Sequence, residues 1–293
     1  GLGLGRQEEI DWRDVITEAE QIVGYPTSFL NLRWLFNDEI ASTAIHLLLK
    51  SAKNLLVGSK SNLQSVGLII LLVSKAAGFD TTKFLRDQYD SGVLHSQRAL
   101  AEIVEMKRTA KDEEAYYDWE NEDNLQPLGS NDFLGRGIAE WKLRTMLMSG
   151  SILAKGCQGA MKLANRGPEM EKNAYILGGH LALLWQLYLD VKDFFTHPYS
   201  YSLVGAPTTI ALWEYPQIYA HIFESKVEKT PVEFKQLHYS VRSTRSMDYL
   251  IKLLDDEFES VLKYAKKFPG EDASAALQKM AITIHGETLQ YIE

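Results

Sequence analysis

The sequence predicts an all-α protein. Apolar residues recur with the 3.6-residue period of a helix along most of the chain, and alternating runs bounded by turn residues are nearly absent. In addition, only 8 prolines and 20 glycines occur in 293 residues, so little interrupts long helices.

The elements follow in order. Over 28–56, Leu32, Leu35, Phe36, Ile40, Ala44, Leu47 and Leu48 fall on one face. Thr27 or Ser28, after Pro26, is placed to cap that helix. Residues 62–77 predict a second helix, apolar all round through Gly67-Leu68-Ile69-Ile70-Leu71-Leu72-Val73 and stopped by Gly78. A third is expected over 91–105. One long helix is expected over 138–164, stopped at Gly167-Pro168, and another over 169–195, ended at Thr196-His197-Pro198. Helices over 206–223, 244–268 and 273–292 complete the set. The segment 107–131 breaks the pattern. It carries Lys111-Asp112-Glu113-Glu114, Asp118, Glu120, Glu122 and Asp123 with few periodic apolar residues, and reads as a solvated acidic loop. The expected organisation is a flexible tail at 1–10 and a single helical domain over 11–293 that contains this loop.

Composition narrows the function. A net charge of -8 and no basic stripe disfavour a nucleic-acid surface, which must replace condensed counterions. The longest apolar run, 67–73, is far short of the roughly 18–20 residues that span a bilayer. A single cysteine, Cys157, excludes an intrachain disulfide framework and fits a reducing compartment as a packed, inert thiol.

Several motifs fail on context. Gly1-Leu2-Gly3-Leu4-Gly5 has no preceding strand, so a dinucleotide site is disfavoured. Gly58-Ser59-Lys60-Ser61 ends like a phosphate loop, but Lys53 stands where the first glycine is needed. No His-Glu-x-x-His occurs. Asp255-Asp256-Glu257-Phe258-Glu259 tempts a metal reading. Yet Ile251, Leu254, Phe258, Leu262 and Ala265 form that helix's apolar face. The acids then read as a solvated flank that meets Lys252 and Lys263. Asp190 and Asp193 are less easily dismissed. They end a very apolar helix, where carboxylates oppose the helix dipole. Either Lys192 and solvent compensate them, or they are the remnant of a magnesium–diphosphate site.

At that helix the chain resembles the trans-prenyl diphosphate synthase family. Its enzymes are all-α and hold Mg2+ on two Asp-Asp-x-x-Asp motifs, because departing diphosphate needs its charge neutralised. Leu189-Asp190-Val191-Lys192-Asp193 is similar to the second motif, with Leu189 in place of the first acid. The approach Ala174-Tyr175-Ile176-Leu177-Gly178-Gly179-His180 and the later Leu203-Val204-Gly205-Ala206-Pro207 also follow the family. The lysine expected after the motif is missing from Phe194-Phe195-Thr196-His197-Pro198. Upstream, Gly58-Ser59-Lys60 is present, but Val66-Gly67 stands where the family has Arg-Pro. The helix 96–106 resembles the one leading into the first Asp-rich motif, yet Lys107-Arg108-Thr109-Ala110-Lys111 follows, and the next helices of the family are missing. The pattern resumes at Trp141-Lys142-Leu143-Arg144-Thr145, where Arg144-Thr145 corresponds to a diphosphate-binding Lys-Thr.

Within the family, Val23-Gly24-Tyr25-Pro26-Thr27-Ser28-Phe29, Ser74-Lys75-Ala76-Ala77-Gly78 and Leu153-Ala154-Lys155 with Cys157-Gln158 are most similar to the second subunit of animal decaprenyl diphosphate synthases. The resemblance implies an isoprenoid synthase-type helical bundle lacking some central helices. It implies a non-catalytic subunit of a heteromeric, heterotetrameric polyprenyl diphosphate synthase that supplies the ubiquinone side chain. No residue of this chain is then catalytic. Lys60, Arg144 and Thr145 are expected as degenerate substrate-binding positions, and Asp190 and Asp193 as a degenerate metal remnant. The chain alone is expected to bind no cofactor, with Mg2+ held by a catalytic first subunit. A location in the mitochondrial matrix follows, at most peripheral to the inner membrane. Leu181, Leu184, Trp185 and Tyr188 either line a product channel or pack the core. Two other readings stay open: a competent prenyltransferase with unusual ligands, and a helical scaffold or lipid carrier on the same fold.

Overall fold

A computed structural model describes residues 66–105, 137–146 and 150–293. The tail 1–10, the helix expected over 28–56, Lys60 and the acidic loop at 107–131 lie outside the described residues.

Helix α1 (Val66–Ala77) is buried on nearly every side, as its unbroken apolar run requires. Gly78 ends it with a left-handed φ of 64° and an N–H bond to Ser74 O at 3.0 Å. The helix expected from 91 begins later. Tyr89–Asp90 (β1) and Val93–Leu94 (β2) pair antiparallel, with Tyr89 opposite Leu94. Ser91 and Gly92 turn between them at φ 52° and 76°. A tight hairpin needs two such left-handed residues, and a helix cannot contain them. Helix α2 then occupies residues 95–105.

Of the helix expected over 138–164, the described residues form α3 (Gly137–Thr145) and α4 (Ser151–Leu163). Met146 and Gly150 take π-helical pairing between them. A side chain at Gly150 would lie 2.6 Å from Met146 Sδ. Helix α5 (Pro168–Thr196) has 29 residues, starts on a proline and carries Glu169 and Glu171 in its first turn, where the dipole favours acids. The helix expected over 206–223 is divided. Helix α6 (Ala206–Glu214) stops because Pro216 follows, and a 3-10 turn at Pro216–Ile218 leads into α7 (Tyr219–Val227). Helix α8 (Phe234–Arg242) was not expected; it buries only Leu237 and Val241. Helices α9 (Ser246–Ala265) and α10 (Glu271–Ile292) match expectation within a few residues at each end. The all-α class holds, with the short hairpin as the only sheet among the described residues.

The chain forms two compact units. The described residues of the first are 66–105, 152–176 and 264–280. Its core contains Ile70, Leu72, Val73, Ala154, Cys157 and Ala160. Gln97 ties it together: its Oε1 accepts from Leu94 N at 3.0 Å and its Nε2 donates to Ala160 O at 2.8 Å. Cys157 is fully buried, and burial pushes its thiol up to about 12, so it stays protonated and inert.

The described residues of the second unit are 137–146, 150–151, 177–263 and 281–293. One core cluster joins Phe194, Tyr201, Ala211, Leu212, Ile218, Leu237 and Val241. The His238 ring stacks on Phe194 at 4.2 Å, and Tyr201 meets Phe194 edge-on at 4.8 Å.

Candidate functional site: a degenerate metal motif

Helix α3 buries Gly137, Trp141 and Thr145, which recur every four residues along one face. That face meets α6, and a side chain at Gly137 would lie 2.8 Å from Trp213 Cβ. Trp141, 1% exposed, is among the largest fully buried side chains. Its indole Nε1–H donates to Asp190 Oδ2 at 2.8 Å. The same oxygen accepts from the backbone N–H of Ala206, the first residue of α6, at 2.9 Å. Asp190 Oδ1 accepts from Gln186 Nε2, one turn earlier on α5, at 2.8 Å. Burial pushes the Asp190 carboxyl above its ordinary value, and the bonds from Gln186, Trp141 and Ala206 only partly offset this.

Asp193 is turned to the segment after α5. Its Oδ2 accepts from Ser202 N at 2.8 Å, and Oδ1 lies 3.3 Å from His197 Nδ1. Arg144 Nη1 donates to Val204 O at 2.6 Å, and Nη2 pairs with Glu140 Oε1 at 2.7 Å. Thr145 is buried one residue further on. The fold therefore ties Arg144, Asp190 and Asp193, three of the five residues expected as site remnants, to the segment 197–206, and it buries a fourth, Thr145. The fifth, Lys60, lies outside the described residues.

Lys192, the compensating cation expected from the sequence, is not among the donors on Asp190. Lys192 sits over the Tyr188 ring at 5.8 Å. The charge is met by the positive N-terminal end of α6 and two side-chain donors. These residues do not fit Mg2+, which demands near-octahedral oxygen ligands at about 2.0–2.1 Å. Asp190 presents oxygens already facing three N–H groups, and Leu189 beside it has no donor atom. Among the described residues no group of three His, Cys, Asp or Glu side chains is placed to hold a metal ion.

One charged cluster escaped the sequence reading. In the acidic stretch of α9, Asp256 behaves as expected and pairs with Lys252 at 2.8 Å. Glu257 does not belong to the solvated flank: it is 1% exposed. Its Oε1 lies 2.8 Å from Lys142 Nζ and its Oε2 2.5 Å from His180 Nδ1. Burial raises its carboxyl, but the bonds from His180 and Lys142 outweigh burial and hold it below the ordinary value. The signal available was that 257 follows Leu253-Leu254 by one turn, on the apolar side of α9. Of the residues considered for a channel, Leu181, Leu184 and Tyr188 are buried, and Trp185 packs on Tyr188 at 5.1 Å. These are core contacts.

The fold is the all-α fold of the prenyl diphosphate synthases, and the acids at 190 and 193 accept from protein donors. A solved structure, the apo form of an Arabidopsis medium/long-chain length prenyl pyrophosphate synthase, superposes with a TM-score of 0.57 at 16% identity, covering 85% of this chain and 99% of that one. In sequence the chain is related to the all-trans-polyprenyl-diphosphate synthase PDSS2. It is 28% identical to the human and mouse proteins and 25% identical to the rat protein, over 96% of this chain and 89% of each relative. The human alignment runs over 362 residues against 293 in this chain, so the relative carries segments that this chain lacks. No family model matches the sequence.

Proposed function

We propose that this chain is a non-catalytic subunit of a heteromeric trans-polyprenyl diphosphate synthase. The observation that carries the proposal is the state of the second Asp motif. Leu189 replaces its first acid, and Asp190 is consumed by Trp141, Gln186 and Ala206. Ionisation of an allylic diphosphate places several negative charges on the leaving group, and enzymes stabilise them with preorganised cations. Arg144, which stands where the family resemblance expects a diphosphate-binding lysine, donates to Val204 O and Glu140. A motif whose acid is bonded in this way is suited to supporting an active neighbour. Mg2+ and both diphosphates then belong to a catalytic first subunit. In this reading the complex is a heterotetramer of the mitochondrial matrix that makes the ubiquinone side chain.

The test is prenyl transfer from an allylic diphosphate and isopentenyl diphosphate, measured for the purified chain alone and with the catalytic subunit. Product is expected only from the mixture. Robust elongation by the chain alone would overturn the proposal and favour a competent prenyltransferase. Activity of the catalytic subunit unchanged by this chain would favour a scaffold or lipid carrier.

A further inference from the structure

We propose that Trp141, Asp190 and the first turn of α6 form a structural clasp in the place of a metal site, and that the indole itself keeps divalent cations out. The inference takes Asp190 as a motif remnant, and to that extent rests on the function proposed above.

Three observations carry it. First, the two donors on Asp190 Oδ2, an indole and a backbone amide, are N–H groups that cannot become acceptors. A cation approaching Oδ2 meets two N–H hydrogens whose nitrogens stand at 2.8 and 2.9 Å. Second, Trp141 has no room to withdraw, because it is 1% exposed and its helix is seated on α6 through Gly137. Third, the acceptor is needed. Without Asp190, a buried indole N–H and the N-terminal amide of α6 would both lose their partner. The carboxylate thus joins α3, α5 and α6 at one point. It follows that returning an acid to position 189 does not by itself create a cation site.

The test is a thermal-unfolding cycle on the full chain with Trp141→Phe, Asp190→Asn and the pair, each with and without millimolar Mg2+, alongside Leu189→Asp. Each single change is expected to lower Tm by roughly 2–4 °C, and the pair by no more than the larger single. Mg2+ is expected to leave the Tm of the wild type and of Leu189→Asp unchanged. Fully additive losses in the pair overturn the clasp. So does a Mg2+-dependent rise in the wild type or in Leu189→Asp that Asp190→Asn abolishes. If Trp141→Phe does not fold, hydrogen exchange of the Trp141 indole replaces the cycle. Slow exchange in the wild type and faster exchange in Asp190→Asn support the clasp; equal rates sink it. Prenyl transfer by the lone chain would defeat the proposed function without touching these readouts.

Discussion

The carboxylate of Glu257 and the ring of His180 meet at 2.5 Å, although 77 residues separate them in sequence. Lys142 completes the group from α3 at 2.8 Å. A buried acid held by two partners is costly to break, because removing one side leaves the other uncompensated.

Glu257→Ala is therefore expected to destabilise the protein by about 2–4 kcal/mol, toward the lower end because Lys142 is 38% exposed and reaches water. Glu257→Gln keeps acceptor capacity and is expected to cost less, about 1–2 kcal/mol. Urea unfolding of the two variants checks the order; equal stability of Glu257→Ala and wild type would refute it.

The same acid sets a pH dependence. Its folded carboxyl lies below the ordinary value of 4.5, so the stability it contributes is fully present above that pH. The contribution is lost as pH falls through the lower folded value. Unfolding free energy measured from neutral pH down into this range should fall more steeply for the wild type than for Glu257→Gln.

Glu102, on α2, titrates in the opposite sense. Burial pushes its carboxyl up to about 7, against the pull of Arg98. The fold favours the protonated form, so stability is lost as pH rises from the unfolded value through about 7. Glu102→Gln is expected to raise stability at alkaline pH by on the order of 1 kcal/mol after allowance for solvent screening, and to change little in acid. Melting curves on both sides of pH 7 decide this.

Two glycines should respond in opposite directions to alanine. A side chain at Gly270 would lie 2.8 Å from both Ala76 Cα and Lys75 O, backbone atoms that cannot step aside. Gly270→Ala is expected to cost about 1–3 kcal/mol. At Gly286, inside α10, a side chain meets nothing within 4 Å. Gly286→Ala should gain roughly 0.5–1 kcal/mol from helix propensity alone. Chemical denaturation of the two variants side by side tests the contrast.

Helical periodicity made α1, α5, α9 and α10 legible, because each buries a stripe long enough to dominate its own window. Where local chemistry overrode the period, the reading slipped. Ser91-Gly92 turned a helix start into a hairpin, and Pro216 divided the helix expected over 206–223. Helix α8 was too short, with two buried positions, to announce itself. Asp190 and Asp193 stand out by their place at a helix end and Arg144 by family resemblance, and the fold ties all three to the segment 197–206. What these side chains bond to was invisible, since Trp141 and Asp190 are 49 residues apart. Glu257 was misjudged for the same reason: its partners come from other helices, and no window on α9 contains them.

One carboxylate on α5 receives both the start of α6 and an indole from α3, so three helices share a single fastening. Trimming the indole would leave a hole and an unmatched acceptor. A substitution anywhere in that fastening is felt by all three helices, so position 190 tolerates fewer exchanges than its place near the end of a helix suggests.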